Sequence, residues 1–237
     1  MENIKWTDMQ YNVMFEPVSN IRDKASDFEK CLESDFPNKF NILPNMPNVP
    51  YSAPRMLANN MHGLSLNISA ESITLTHNIV NENDEIKVSD FMNKVYPLEA
   101  TLKQIQDKEL FSGIVLRGYM DLHENPVEYI QKHFMKKLLE REIFDLETKI
   151  TFKISDKYYV NITLGNLRKN ENESLLVIEL DINDRYRYNF KRKESPYSEK
   201  NSMNNINSIL SDILTEKIYN FLENGDLDVR NIKLETN

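Results

Sequence analysis

The chain has 237 residues, 40% of them hydrophobic and 28% charged, with a formal net charge of −8. That length buries a core without disulfides or metals, and it holds one large domain or two small ones. The acidity argues against a general nucleic-acid binder, which needs Lys and Arg in excess, and no apolar run approaches the roughly 18 residues of a helical membrane span.

Most of the acidic excess lies in the first half of the chain. Cys31 is the only cysteine, so no disulfide forms within the chain and a reducing, cytoplasmic setting is expected. It sits in a helical pattern beside Leu32 and reads as a small packed side chain. "MENIKWTDMQ" shows no apolar run and no basic leader, so no signal peptide is expected.

In chain order, "QYNVMFEPV" (10–18) reads as a strand. Ile21, Ala25, Phe28, Leu32 and Phe36 then fall at helical spacing. Prolines from Pro37 to Pro54 forbid regular structure across the longest loop. "PRMLANN" reads as a short strand. "LSLNISAESITLTHNI" is a hairpin, with Leu64, Leu66 and Ile68, then Ile73, Leu75, His77 and Ile79, facing inward. A helix follows through Phe91, Val95, Leu98, Leu102 and Ile105, with Ser89 as its cap and a kink or restart expected at Pro97.

The second half repeats this order. "SGIVLRGYMDL" (112–122) is a strand, and "NPVEYIQKHFMKKLLERE" a helix with Asn125 as cap and Pro126 at its first position. The strands "TKITFKI", "YYVNITL" and "SLLVIELDI" come next. A closing helix carries a broad stripe from Ile206 to Leu222, stopped by Gly225. The expectation is an α+β fold of tandem β-α-β-β-β-α halves, 1–110 and 111–237, with helices over largely antiparallel sheet. The halves form either one continuous domain or two lobes, and the repeated order points to a duplication.

Several of these segments, in this order, resemble a sporadically distributed bacterial family of uncharacterised proteins of about this length. They are "VMFEPV", "DFPNKF", "GLSLNISAESITLTHNI", "GIVLRGYMDL", "VIELDIND" and "NSILSDILTEKIYNFL". The resemblance covers nearly the whole chain through short motifs. Where the family reads Leu-Arg-Tyr-Ile/Val-Asn, this chain keeps Leu116, Arg117 and Tyr119 but inserts Gly118 and places Asp121 near the Asn position. The resemblance implies a shared fold and brings no catalytic residue. The family's patchy distribution implies mobile genes of phage, toxin–antitoxin or antiviral defence type.

Chemistry is sparsely signalled. His62, His77, His123 and His133 form no metal-binding spacing. Five unclustered glycines make no phosphate loop, and no G-x-S-x-G elbow occurs, so no cofactor is implied. Glu179 and Asp181 share a strand face, with Asp184 beyond them. A nuclease would use such carboxylates with Lys153 or Lys157 nearby, while a solvated sheet face explains them more simply. Arg117, Tyr119 and Asp121 also share a face. Arg117 must find a carboxylate, Glu179 or Asp181, or reach water, and Gly118 leaves room for a close neighbour or ligand.

The candidate binding residues are Arg117, Tyr119, Arg185, Tyr186, Arg187, Tyr188, Phe190 and Lys191. The last six lie in "DRYRYNFKRK", whose aromatics continue the apolar phase of the preceding strand while its bases fall opposite. A long two-faced strand accounts for that pattern, a protein-partner or homodimer contact is the next reading, and nucleic-acid stacking the last. The leading functional expectation is a non-enzymatic interaction or regulatory protein, such as an antitoxin-like inhibitor or chaperone-type partner. The alternatives are a metal-dependent nuclease or RNA-processing protein, and a small-molecule-binding module between the halves.

Overall fold

The computed structural model describes residues 3–45, 47–81, 84–135, 143–170, 173–184, 197–229 and 232–235. Its strands are β1 (Lys5–Phe15), β2 (Asn41–Ile42), β3 (Pro54–Asn59), β4 (Leu64–Ser69), β5 (Ser72–Asn78), β6 (Glu109–Met120), β7 (Thr148–Ile154), β8 (Tyr158–Arg168) and β9 (Ser174–Asn183). Its helices are α1 (Ala25–Cys31), α2 (Val88–Ile105), α3 (Pro126–Phe134), α4 (Ser202–Asp212) and α5 (Ile218–Asn224). A 3-10 turn, Ile21–Lys24, leads into α1, and a π turn, Ile213–Lys217, joins α4 to α5.

All nine strands join one antiparallel sheet in the order β2-β3-β4-β5-β1-β6-β9-β8-β7. The fold is α+β, with the helices packed on the sheet. β1 and β6 are neighbours at its centre. Outward from them the order is β5, β4, β3 on one side and β9, β8, β7 on the other. The expected boundary at residue 110 falls inside β6, which begins at Glu109.

Strand alternation sends one set of side chains to a covered face. Tyr11, Val13, Ile114, Leu116, Ile162, Leu164, Ile178 and Leu180 are all fully buried there. They join one apolar core with Phe28 of α1, Phe91 and Leu98 of α2, Ile130 of α3, Ile206 of α4 and Phe221 of α5. Among the described residues no helix is long and apolar enough to cross a membrane.

Several elements differ from the sequence expectation for identifiable reasons. β1 starts at Lys5 because a bulge between Trp6 and Asp8 resets its phase. Trp6 and Met9, three positions apart, are therefore both buried. The proline-rich loop holds one two-residue strand, β2, in the gap between Pro37 and Pro44. α1 ends at Cys31, short of Phe36. Lys87 rather than Ser89 stands at the cap of α2, and Ser89 lies inside the helix, where its hydroxyl bonds Asp90. Pro97 does not interrupt α2, which runs unbroken to Ile105. His77 is half-buried at the end of β5 rather than in the core, and burial pulls its pKa down. Gly225 does close α5, at φ +71°. β9 ends at Asn183, so the expected continuation through Arg185, Tyr186, Arg187, Tyr188, Phe190 and Lys191 lies outside the described residues.

The cap of α3 is as expected: Asn125 Oδ1 accepts the Val127 N–H at 2.9 Å, with Pro126 at the first helical position. Asn125→Ala is expected to lower stability by about 1 kcal/mol. In urea unfolding this shows as a lower midpoint with an unchanged slope.

Candidate functional site on the open sheet face

The sheet face opposite the helices is polar. Its cross-strand rows follow from the register. One row runs Asn78, Asp8, Arg117, Glu179, Thr163, Lys149 across β5, β1, β6, β9, β8 and β7. The next runs Thr76, Gln10, Val115, Asp181, Asn161, Thr151 across the same strands.

Arg117 is the centre of the first row. Its Nε donates to Glu179 Oε2 at 2.7 Å and its Nη1 to Asp8 Oδ1 at 2.6 Å. One guanidinium thus ties three adjacent strands together, while 43% of the side chain stays open to solvent. Tyr119, two residues on, has the Lys5 and Lys169 ammonium groups 5.7 and 5.8 Å from its ring centre. Those are cation–π distances. Lys169 also pairs with Glu173 at 3.0 Å. Asp121 lies beyond the end of β6 and is exposed.

The second row and its neighbours form two bonded groups. On β1 and β5, Asn12 Oδ1 accepts from Gln10 Nε2 at 3.1 Å and from Thr74 Oγ1 at 3.0 Å. On the β7–β9 side, Asp181 accepts from Asn161 Nδ2 at 3.1 Å and from Asn183 Nδ2 at 2.8 Å. Thr151 Oγ1 donates to Asn161 Oδ1 at 2.8 Å. Burial raises the Asp181 pKa, and the Asn183 amide holds it back.

Gly118 has a clear structural use. A Cβ there would stand 2.5 Å from the Lys5 carbonyl oxygen and 3.0 Å from the Trp6 ring. The neighbour for which it leaves room is β1 itself.

The three expected carboxylates do not converge. Glu179 and Asp181 share the open face, but Asp184 turns to the covered side. There it accepts the Ser112 N–H at 3.0 Å and the Ser202 hydroxyl at 2.9 Å. Lys153 is bound to Asp156 and Lys157 to Glu199. Among the described residues no group of three His, Cys, Asp or Glu side chains is placed to hold a metal ion.

Two clefts also occur, each within one half of the chain. One, of about 400 Å³, runs between Asp35, Asn60, His62, His77 and Lys94. The other, of about 510 Å³, lies between Asp121, Glu124, Asn166, Arg168 and Glu173.

Sequence reasoning found Arg117 and its pairing with Glu179 but missed Asp8. The signal was present in the Trp6–Met9 spacing, which marks the bulge that turns Asp8 onto the open face. The cross-strand roles of Gln10, Asn12 and Asn161 depend on register, which a single chain read in order does not display. In comparisons with known proteins, no protein-family model and no curated protein matches this chain.

Proposed function

We propose that the protein is a non-enzymatic interaction protein whose open sheet face, centred on Arg117 and Tyr119, docks another protein. One observation carries this reading: Arg117 is fixed in place by two carboxylates from neighbouring strands and is still 43% exposed. Arginine and tyrosine are among the residues that dominate binding energy at protein interfaces. A side chain already held in its binding rotamer loses little further entropy on association. The carboxylates of the face accept from fixed donors, which suits recognition of hydrogen-bonding groups more than proton transfer. The single cysteine fits a reducing, cytoplasmic setting.

The test compares the wild type with Arg117→Ala/Tyr119→Ala as affinity baits, with binding of each retained protein then measured by calorimetry. The expected outcome is a specific partner whose affinity falls at least about 100-fold in the variant, a loss of roughly 3 kcal/mol. Stability is expected to change by only about 1 kcal/mol, because the ion pairs are half-exposed. A partner bound equally by both proteins would overturn the assignment to this face.

A further inference from the structure

Under α2 and α4, at the start of β6, lies a polar cluster that the open face does not use. Glu109 of β6 is 4% exposed and Tyr11 of β1 is fully buried. Glu99 of α2, Ser112 of β6, Asp184 beyond β9 and Ser202 of α4 are buried as well. Glu109 Oε2 accepts from the Ser112 hydroxyl at 3.1 Å, and Glu99 is paired with Lys103. Three atoms are left over: Glu109 Oε1, the Tyr11 hydroxyl and Ser198 Oγ have no partner among the described residues. Buried polar atoms are rarely left so, and each such case calls for a reason.

The cluster also anchors the stretch from Tyr197 to Ser202. The Ser198 N–H donates to the Glu109 carbonyl at 2.7 Å, Lys103 Nζ to the Lys200 carbonyl at 2.9 Å, and Ser202 Oγ to Asp184 at 2.9 Å.

We infer that Glu109 is a proton-binding site, holding the Tyr197–Ser202 arm against β6 when protonated and loosening it when ionised. The step is loss of one proton to solvent. With Glu109 neutral, the Lys103 ammonium is paired with Glu99, and the Asp184 carboxylate lies close enough to act on Glu109. Ionisation adds a third negative charge in a buried place, where the Ser112 O–H already donates to Glu109 and the Ser112 N–H is committed to Asp184. Tyr11 remains a neutral phenol, because burial and these three carboxylates hold its pKa well above the ordinary value. β6 cannot move to relieve the repulsion, since backbone ladders to β1 and β9 hold it on both sides. The arm, joined at a few points, can.

Burial, then the Glu99 charge, push Glu109 up to about 7; Asp184 adds to this, while Lys103 and the Ser112 hydroxyl oppose it. The folded state therefore takes up the proton more readily than the unfolded chain, so attachment is complete below the ordinary carboxylate range and declines as pH rises through about 7. The other charged or titratable groups at the anchor are Tyr197, Glu199 and Lys200 on the arm, Glu16 and Lys108 against Tyr197, Lys157 paired with Glu199, and Tyr158 of β8, whose hydroxyl meets Glu199 at 3.3 Å.

The experiment is a carbon-13 titration of the Glu109 carboxyl, with hydrogen exchange of the arm followed at pH 6 and pH 8 and corrected for intrinsic rates. Wild type should titrate near 7 and lose protection in residues 197–202 at least tenfold at the higher pH. Glu109→Gln should show no such loss. Glu99→Gln should move both transitions to lower pH together, which keeps the inference testable if Glu109→Gln does not fold. A Glu109 midpoint in the ordinary carboxylate range overturns the inference. So does an arm transition that ignores either substitution.

Discussion

Gly118→Ala is expected to destabilise the protein by about 3 kcal/mol, the upper end of what overpacking usually costs. The cause is backbone, not side chain. The new methyl group would meet the Lys5 carbonyl oxygen at 2.5 Å, and a flexible side chain is not there to swing aside. Trp6, at 3.0 Å, is itself buried and held. Relief requires β1 to lift away from β6 next to the bulge, which disturbs the Asp8–Arg117–Glu179 row. Urea unfolding should show the loss of stability, and partner binding should fall with it. A loss below about 1 kcal/mol would mean that the first residues of β1 do not lie against Gly118.

Phe221→Ala is expected to cost about 4 kcal/mol, within the range for deleting a buried aromatic side chain. The ring is fully buried. Its centre lies 5.2 Å from that of Phe134 and 5.7 Å, edge to face, from that of Phe152. Helices α5 and α3 and the edge strand β7 thus meet at one side chain. Elsewhere β7 is held by buried Ile154 at its end and by its ladder to β8; Ile150 and Phe152 are half-buried, while Lys149, Thr151 and Lys153 face solvent. The cavity should lower the melting temperature and release the β7 amides to exchange before those of β8. A uniform loss across the sheet would show that β7 does not depend on this contact.

Much of the fold was legible because alternation and helical spacing are local. The arms of the β4–β5 hairpin, the run of β8 and β9 and the stripe of the closing helix all follow from residues a few positions apart. The cap at Asn125 and the stop at Gly225 were equally local. Features set by distant neighbours were not legible. Period two predicts an inward His77, but the end of β5 opens onto the cleft beside His62, so the ring is only half-buried. The bulge at Trp6–Asp8 hid the stretch of β1 from Lys5 to Met9 and with it Asp8. Of the candidate site, Arg117 could be named because a mid-strand guanidinium demands a partner, and Glu179 because it lies in another strand at matching phase. Asp184 follows the same alternation: an odd number of residues from Asp181, it falls in phase with Leu180 and Ile182, so carboxylates close in the sequence are separated by the sheet. Glu109 gave no signal, because its surroundings come from β1, α2 and the residues after β9.

The strand order has a consequence for how the chain reaches this structure. Hairpins β3–β4–β5 and β7–β8–β9 pair residues close in sequence, but the central ladder sets Tyr11 against Ile114. Contacts of that span form late, and sheets built around them fold on the order of milliseconds to seconds. During synthesis β1 gains its second neighbour only after β6 has emerged. Until then the nascent first half carries a bare, alternating edge at what will become the middle of the sheet, the kind of edge that recruits strands from other chains. Closure of the β1–β6 pair is therefore the step that covers this edge.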